Sequence, residues 1–413
     1  MSGEFDLIVI GGGAAGFFGA IAFAESSPGS RVVILEKTDA VLGKVKISGG
    51  GRCNVTHAAY DPGELTPNYP RGEKNLIGPF YRWAVGDTID WFESRGVELK
   101  VEEDGRMFPT TDDSQTIINC LTDAAEDSSV MVEYRCSVDS LSKSGEQWEV
   151  GTKSGGLFRG KNVLLATGGV RNGAGTELAG AVGHTIIPAA PSLFTFKVAD
   201  PRIEELSGVS VSPVIAELPE LGHRTTGPCL ITHWGLSGPA ILKLSALAAR
   251  ELAEREYRFK VKIHWLGGMS EEEADGLLGA TREASPKKFV RSGAEGTKIP
   301  LRLWQRFVGA AGIDEEMCWS NLSKKERHRL VQQLTASEFA VNGKSMNKDE
   351  FVTAGGVDRN EVDFRTMESR IASGLFFAGE VLDVDGVTGG FNFQAAWTTG
   401  RIAGEAAAES LAG

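Results

Sequence analysis

Three glycines, an arginine, a cysteine and an asparagine stand together in ISGGGRCN, residues 47–54. Bare backbone beside a fixed cation and a thiol suits four roles: a phosphate cradle, a reactive cysteine, a metal site or a plain flexible loop. Cys53 would be a nucleophile only as a thiolate, which Arg52 beside it favours; a small residue packed against the loop is the plainer reading. Arg52 could stabilise a developing anion or bind a carboxylate or carbonyl, and it serves equally well as a pyrophosphate or salt-bridge partner. His233, in THWGLSG, has the best side chain for acid–base work, set against a histidine bonded structurally within a sheet. Arg52 and His233 are the catalytic candidates. His57 and His184 lie near glycine loops with no partner legible in the sequence. Trp234 is expected to pack in the core.

Composition removes several chemistries. The five cysteines, Cys53, Cys120, Cys136, Cys229 and Cys318, are scattered and never form C-x-x-C. A disulfide framework, a structural zinc site and a redox dithiol are therefore not expected, no metal is assigned, and a reducing cytoplasm is the expected compartment. A net charge of −12 argues against a nucleic-acid partner, which needs a basic surface. The 413 residues suggest two or three domains, and 41% hydrophobic with 24% charged residues is ordinary for a soluble globular chain. LIVIGGGAAGFFGAIAFA, residues 7–24, carries no charge and is long enough to pass for a membrane span or leader. Its acidic flank (Glu4, Asp6), its β-branched start and its central glycine cluster argue against both, so no membrane is expected.

That stretch reads better as strand, turn and helix. Leu7–Ile10 suits a strand buried on both faces. Gly11, Gly13 and Gly16 form G-x-G-x-x-G: the first permits a tight turn, the second admits a pyrophosphate to the backbone, and the third lets helix and strand pack closely. Ala14 and Ala15 open the helix, whose N-terminal N–H groups face the phosphates. A second strand, RVVILEK, ends at Glu36, twenty residues after Gly16, where an acid binds ribose hydroxyls. Glu36 in place of a basic residue argues against a 2′-phosphate. NAD and FAD share this fingerprint.

The elements that position these residues follow. Helices are expected at GDTIDWFESRG and SQTIINCLTDAAED, around a loop or hairpin at EDGRMFPTT. MVEYRC, QWEVGT and LFRGKN read as a small antiparallel meander, and NVLLATGG as another buried strand. Residues 192–265 suggest an antiparallel sheet or barrel. Residues 270–334 read as helical, with capping boxes at Ser270/Glu273 and Ser323/Glu326 and a helix start at Ser285–Pro286. SKKERHR would be a solvated helix face, and SEFAVNG a return to the sheet. The last segment reads as strand, glycine loop 386–390 and helix, with Gly400 and Gly404 on one helix face.

The strand–GGGAAG–helix–Glu36 unit, the later ATGG and the C-terminal GLFFAGEVLDVDG…GG resemble FAD enzymes with a glutathione-reductase-like domain. GKVKISGGGRCNVT, GRMFP, THWGLSGPAIL, TAGGV, TMESR and AGEVLDVDGVTGGFN further resemble a bacterial three-domain flavoprotein family over nearly the whole chain. Activities attributed within that family include aminoacetone oxidation and reduction of enone-containing bile-acid intermediates. The chain departs from it after ATGG, where it carries the shorter VRNGAGTELAGAVGH.

The resemblance implies an α/β fold: a Rossmann-type FAD-binding domain (1–190 and 345–413), an inserted β-barrel domain (191–268 and 335–344) and a helical subdomain (269–334). It places Glu36, Lys37, Gly43 and Lys44 along FAD, followed by Ser48, Gly49, Gly50, Gly51, Arg52, Cys53 and Asn54. Ala166, Thr167 and Gly168 belong to the same cradle. Gly379, Glu380, Gly389, Gly390, Phe391 and Asn392 would approach from the other side, and backbone near Cys136 and Val138 would hold the adenine. A helix N-terminus at the flavin pyrimidine would stabilise its negative charge on reduction.

The function expected is an FAD-dependent oxidoreductase acting on a small organic substrate between the FAD and inserted domains. It is either an oxidase using O2 or a reductase of an enone-type substrate taking hydride from transiently bound NAD(P)H. A non-enzymatic flavin-binding redox sensor is the alternative from another class. No oligomeric state is legible.

Overall fold

An uninterrupted apolar run fixes the centre of the first unit. Leu7, Ile8 and Val9 are wholly buried in strand β1 (Ser2–Ile10), and side chains on both faces of a strand can be buried only when other layers cover both. The computed structural model describes residues 2–169, 173–345 and 352–411. The chain divides into one unit of Met1–Pro191 with Lys348–Gly413 and another of Ser192–Asn347.

In the first unit β1 pairs in parallel with β2 (Val32–Leu35) and, on its other side, with β9 (Leu157–Leu165). β6 (Met131–Glu133) lies beside β2, and β10 (Leu375–Phe377) runs parallel to β9, with the short strands Glu368–Ser369 and Val362–Asp363 antiparallel beyond it. β7 (Val138–Ser144) and β8 (Gln147–Thr152) run antiparallel onto the first half of β9. The register matters for function. Ile10 pairs with both Leu35 and Leu165, and Leu165 pairs with Phe377. Four parallel strands thus end level, and ligands of such sheets bind outside those carboxyl ends. The residues next in chain are Gly11, Glu36, Ala166 and Ala378.

Helix α1 (Ala14–Ser26) leaves the first of these ends, and the last helix, α4 (Phe391–Glu409), packs across it. Glycines allow the crossing. A Cβ on Gly400 would sit 2.6 Å from the Ala15 carbonyl oxygen, and one on Gly404 would strike the Gly19 carbonyl. Two further helices flank the site: α2 (Gly43–Gly51) and α3 (Ser114–Asp127). A small sheet of β3 (Thr56–His57), β4 (Leu99–Val101) and β5 (Arg106–Pro109) completes its surroundings.

The second unit holds, among its described residues, a seven-stranded sheet. Its terminal strands, Ser337–Asn342 and Lys344–Ser345, follow one another in the chain with only Gly343 between them. The sheet therefore curls until its edges meet, as in a barrel. Helices Glu271–Ala284, Leu301–Ala310 and Lys324–Thr335 share a core with it, where Trp265, Trp304 and Phe307 are buried. Both capping boxes form: Ser270 and Ser323 accept from the Glu273 and Glu326 N–H groups while each glutamate reaches back. Among the described residues no helix is long and apolar enough to cross a membrane, and no group of three or more His, Cys, Asp or Glu could hold a metal ion.

Several expectations need correction. MVEYRC does not join a meander: β6 extends the parallel sheet beside β2, and the meander is β7–β8 with the start of β9. LFRGKN and NVLLATGG are one strand, with alternating burial where β8 also pairs with it and continuous burial along its last four residues. Within 192–265 the sheet is interrupted by helices Pro239–Leu247 and Ala249–Glu254. Ser285 ends a helix, its N–H closing on Thr281 O, and Pro286 cannot continue it. Trp234 is 60% exposed. The start of VRNGAGTELAGAVGH, residues 170–172, lies outside the described residues.

Candidate functional site

The turn after β1 sorts its three glycines by role. Gly11 has φ +113°, and a Cβ there would press on the Ala166 carbonyl at the end of β9. A Cβ on Gly16 would collide with the Gly11 carbonyl, so helix and strand approach as closely as backbone allows. Gly13, the N-cap of α1, faces open space, with nothing within 4 Å of a Cβ. That is where a phosphate can reach the first N–H groups of α1, which have no intrahelical partner. Ala14 and Ala15 form the first turn.

Glu36 is fixed in this turn. Its Oε2 accepts from Gly12 N–H at 2.9 Å, and its Oε1 accepts from Thr38 N–H at 2.9 Å and Thr38 Oγ1 at 2.8 Å. The carboxylate is thus held half-buried at the end of β2, with acceptor capacity left for ribose hydroxyls. The Cys136 N–H donates to Glu36 O at 2.8 Å, which brings the approach to β7 and the buried Val138 to this corner. Lys37 is exposed beyond it.

ISGGGRCN closes α2 and folds in an unusual way. Ser48 leaves helical geometry, and Gly49, Gly50 and Gly51 follow at φ +58°, +72° and +87°. Three consecutive residues in the left-handed region are accessible without strain only to glycine. Gly49 lies against Phe108, where a Cβ would be 2.7 Å from the ring. Gly50 and Gly51, like Gly43 at the start of α2, face open space.

Arg52 turns its guanidinium to the protein, donating to Glu102 at 2.6 Å and Asp112 at 3.3 Å with Cζ 3.9 Å from the centre of the Phe108 ring. Those carboxylates raise its pKa further above the usual arginine value. Cys53 is fully buried, and burial pushes its thiol up to about 12, so it stays protonated at neutral pH. Its N–H donates to Ser48 O at 3.0 Å, so the cysteine closes the loop.

The far wall comes from the end of β10. Gly379 donates its N–H to Thr399 Oγ1 on α4 at 2.9 Å. Glu380 follows, paired through Oε2 with Lys44 of α2. Its other oxygen, Oε1, is buried and has no hydrogen-bond partner among the described residues, and the same holds for Thr167 Oγ1 at the end of β9. Gly168 and Gly169 lie beside this carboxylate: a Cβ on either would come within 4.0 Å of it. Buried polar atoms left unpaired are costly, and a bound ligand or a water would relieve them.

The N-terminus of α4 closes the ring of contacts. Gly390 caps it in a left-handed conformation with no side-chain cap and no acidic residue in the first turn. No carboxylate of its own first turn therefore offsets the positive end of the helix dipole. The approach is tightly held. With its carboxamide oriented by these neighbours, oxygen toward Gly390, Asn54 accepts from Gly390 N–H at 2.9 Å and donates to Thr56 O at 3.0 Å, and Asn392 exchanges two bonds with Gly386. His57 Nδ1 lies 3.0 Å from Gly389 O, and its ring packs 4.5 Å from Phe391.

The two halves predicted to hold a cofactor thus meet at one sheet edge. Three groups of supporting residues were not foreseen. Tyr69 Oη donates to Phe391 O at 2.6 Å. Gln394 is wholly buried between Thr56, Thr88 and Thr398. Arg71 and Asp385 form a buried ion pair. Only the last left a trace in the sequence, as carboxylates within the apolar LDVDG. His184 packs its ring 4.8 Å from that of Phe377 at the end of β10, with its Nδ1 3.1 Å from Glu361 and its Nε2 2.8 Å from Ser369 Oγ. His233 belongs to the other unit, exposed in the turn between strands His223–Thr232 and Gly235–Ser237.

The donor set fits FAD. It offers an open helix N-terminus for a pyrophosphate, a fixed acid for ribose, unpaired buried oxygens for hydroxyls along the chain, and a second helix N-terminus for the flavin ring.

Comparison with known proteins agrees. Residues 5–406 match the family described as HI0933-like protein Rossmann domain. A 3-dehydro-bile acid delta(4,6)-reductase of Clostridium scindens is 30% identical over 411 residues, covering 97% of this chain and 98% of that one. A ribosomal RNA dihydrouridine synthase of Escherichia coli is 31% identical over 406 residues, covering 96% of each. Among solved structures, a 3-ketosteroid-delta4-(5alpha)-dehydrogenase from Rhodococcus jostii RHA1 superposes with a TM-score of 0.53 at 16% identity, covering 98% of this chain and 97% of that one. At that identity the likeness concerns the fold. The chain belongs to the HI0933-like family, binds FAD and is an FAD-dependent oxidoreductase.

Proposed function

We propose that this oxidoreductase reduces a carbon–carbon double bond conjugated to a carbonyl in a small organic substrate, with NAD(P)H as the source of hydride. FAD, when bound, supplies the hydride chemistry. The chain's own residues position and polarise. The α1 N-terminus at Gly13 would take the pyrophosphate, Glu36 the ribose, and Glu380 Oε1 with Thr167 Oγ1 hydroxyls of the connecting chain. The N-terminus of α4, with no acid in its first turn, carries this reading. It is a fixed positive potential suited to hold negative charge on the reduced ring system.

The choice of substrate class draws on the relatives' names. A delta(4,6)-reductase of a 3-dehydro bile acid and a dihydrouridine synthase both describe saturation of a double bond conjugated to a carbonyl. The second of these names favours another reading, in which the reducible ring is a uracil within RNA. The net charge of −12 supports the small molecule over the polyanion.

Anaerobic mixing with NADH or NADPH tests the proposal. Bleaching of the flavin band near about 450 nm, followed by recovery on adding a 3-oxo-4-ene steroid, is expected. Recovery with a ribosomal RNA transcript alone would establish the second reading. Bleaching only by an amine or amino-ketone, with reoxidation by O2, would overturn both in favour of an oxidase.

A further inference from the structure

The glycine loop at Gly49–Gly51 has open space on one side, so its shape must be set from the other. There the Phe108 ring lies against Gly49, and Arg52 lies over that ring with its Nε 3.4 Å from Gly49 O. A second guanidinium, that of Arg106, lies 5.4 Å from the centre of the same ring. Two like charges gathered at one ring repel. One carboxylate serves both: Glu102 accepts from Arg52 at 2.6 Å through Oε1 and from Arg106 at 3.1 Å through Oε2. Glu102 is itself held by the turn between β4 and β5, where its N–H donates to Arg106 O at 2.8 Å and its carbonyl accepts from Gly105 at 2.9 Å.

We propose that Glu102 is a positioning residue for FAD. By bridging Arg52 and Arg106 over Phe108 it holds the Gly49–Gly51 backbone in its left-handed path. This rests on the placement of FAD along that backbone. Glu102 accepts from the two arginines, so its effect passes through Arg52 and the loop. The neighbouring Asp104 pairs with Arg106, at 2.8 Å, and provides a control in the same hairpin.

The test is FAD affinity, measured by fluorescence titration of apoprotein, together with the shape of the visible flavin band. Glu102→Gln should raise the dissociation constant roughly fivefold or more and alter the band shape, with far-ultraviolet circular dichroism unchanged. Glu102→Asp should restore much of the affinity, and Asp104→Asn should stay within roughly twofold of the parent. If Glu102→Gln fails to fold, Arg52→Lys takes its place; it keeps the charge but loses the planar guanidinium that lies over Phe108 with Nη1 on Glu102 and Nε toward Gly49 O, and the same rise is expected. Unchanged affinity in the folded variant, while Gly50→Val loses FAD, would overturn the role of Glu102 and leave the placement standing. Unchanged affinity in both would overturn the placement itself.

Discussion

Asn54 and Gly390 meet across 336 positions of sequence, the asparagine carboxamide oxygen accepting the Gly390 N–H at 2.9 Å. This single bond ties the glycine loop that ends α2 to the N-cap of α4. The carboxamide also donates to Thr56 O at 3.0 Å and Met107 O at 3.3 Å, so Asn54 spends its side chain on backbone groups. Asn54→Ala would strand those groups at a buried position. A loss of about 1–3 kcal/mol in unfolding free energy is expected, with weaker FAD binding. Chemical denaturation and flavin fluorescence measure the two.

Gly50 sits at φ +72° with nothing within 4 Å of a Cβ. A β-branched residue there meets no clash with the protein, so strain and the ligand decide its effect. Gly50→Val should lower the ratio of flavin to protein absorbance in the purified protein and cost about 1–3 kcal/mol of stability through backbone strain. Full flavin occupancy in the variant would contradict the placement of FAD against the loop.

Cys53 looks reactive in the sequence and is inert in the fold. Burial holds its thiol up to about 12. Alkylation by iodoacetamide at about pH 8 should therefore spare Cys53 in the native protein and reach it after unfolding, as peptide mass mapping would show. Cys53→Ala should retain FAD.

His184 predicts a pH dependence. Burial pushes its pKa below the ordinary 6.5, against the opposing pull of Glu361. The unfolded chain therefore binds a proton more readily than the native one. Stability from this group is fully present above the unfolded value of about 6.5 and is lost as pH falls toward the lower native value. The melting temperature should drop between about pH 7.5 and pH 5.5, and by less in His184→Gln. An equal drop in both would exclude His184 as the source.

The nucleotide turn was legible because its physics is local. Gly13 and Gly16 follow from the geometry of one strand, one turn and one helix that succeed one another in the chain, while Gly11 also has to clear the Ala166 carbonyl of β9. Capping boxes at Ser270 and Ser323 were legible for the same reason. Edges and interruptions were less so. The assignment of MVEYRC to a meander failed because its partner, β2, is distant in the chain, and pairing is decided between strands rather than within one.

Residue types in ISGGGRCN announced that the backbone must do something unusual there, and by themselves they determined the glycine run and its freedom. What Arg52, Cys53 and Asn54 do was settled only by tertiary structure. Glu102 and Phe108 turn the arginine inward, burial silences the thiol, and Gly390 claims the asparagine. Charge pairing, desolvation and hydrogen bonding depend on what lies within a few ångströms. For these three residues those neighbours come from chain positions the local sequence does not contain.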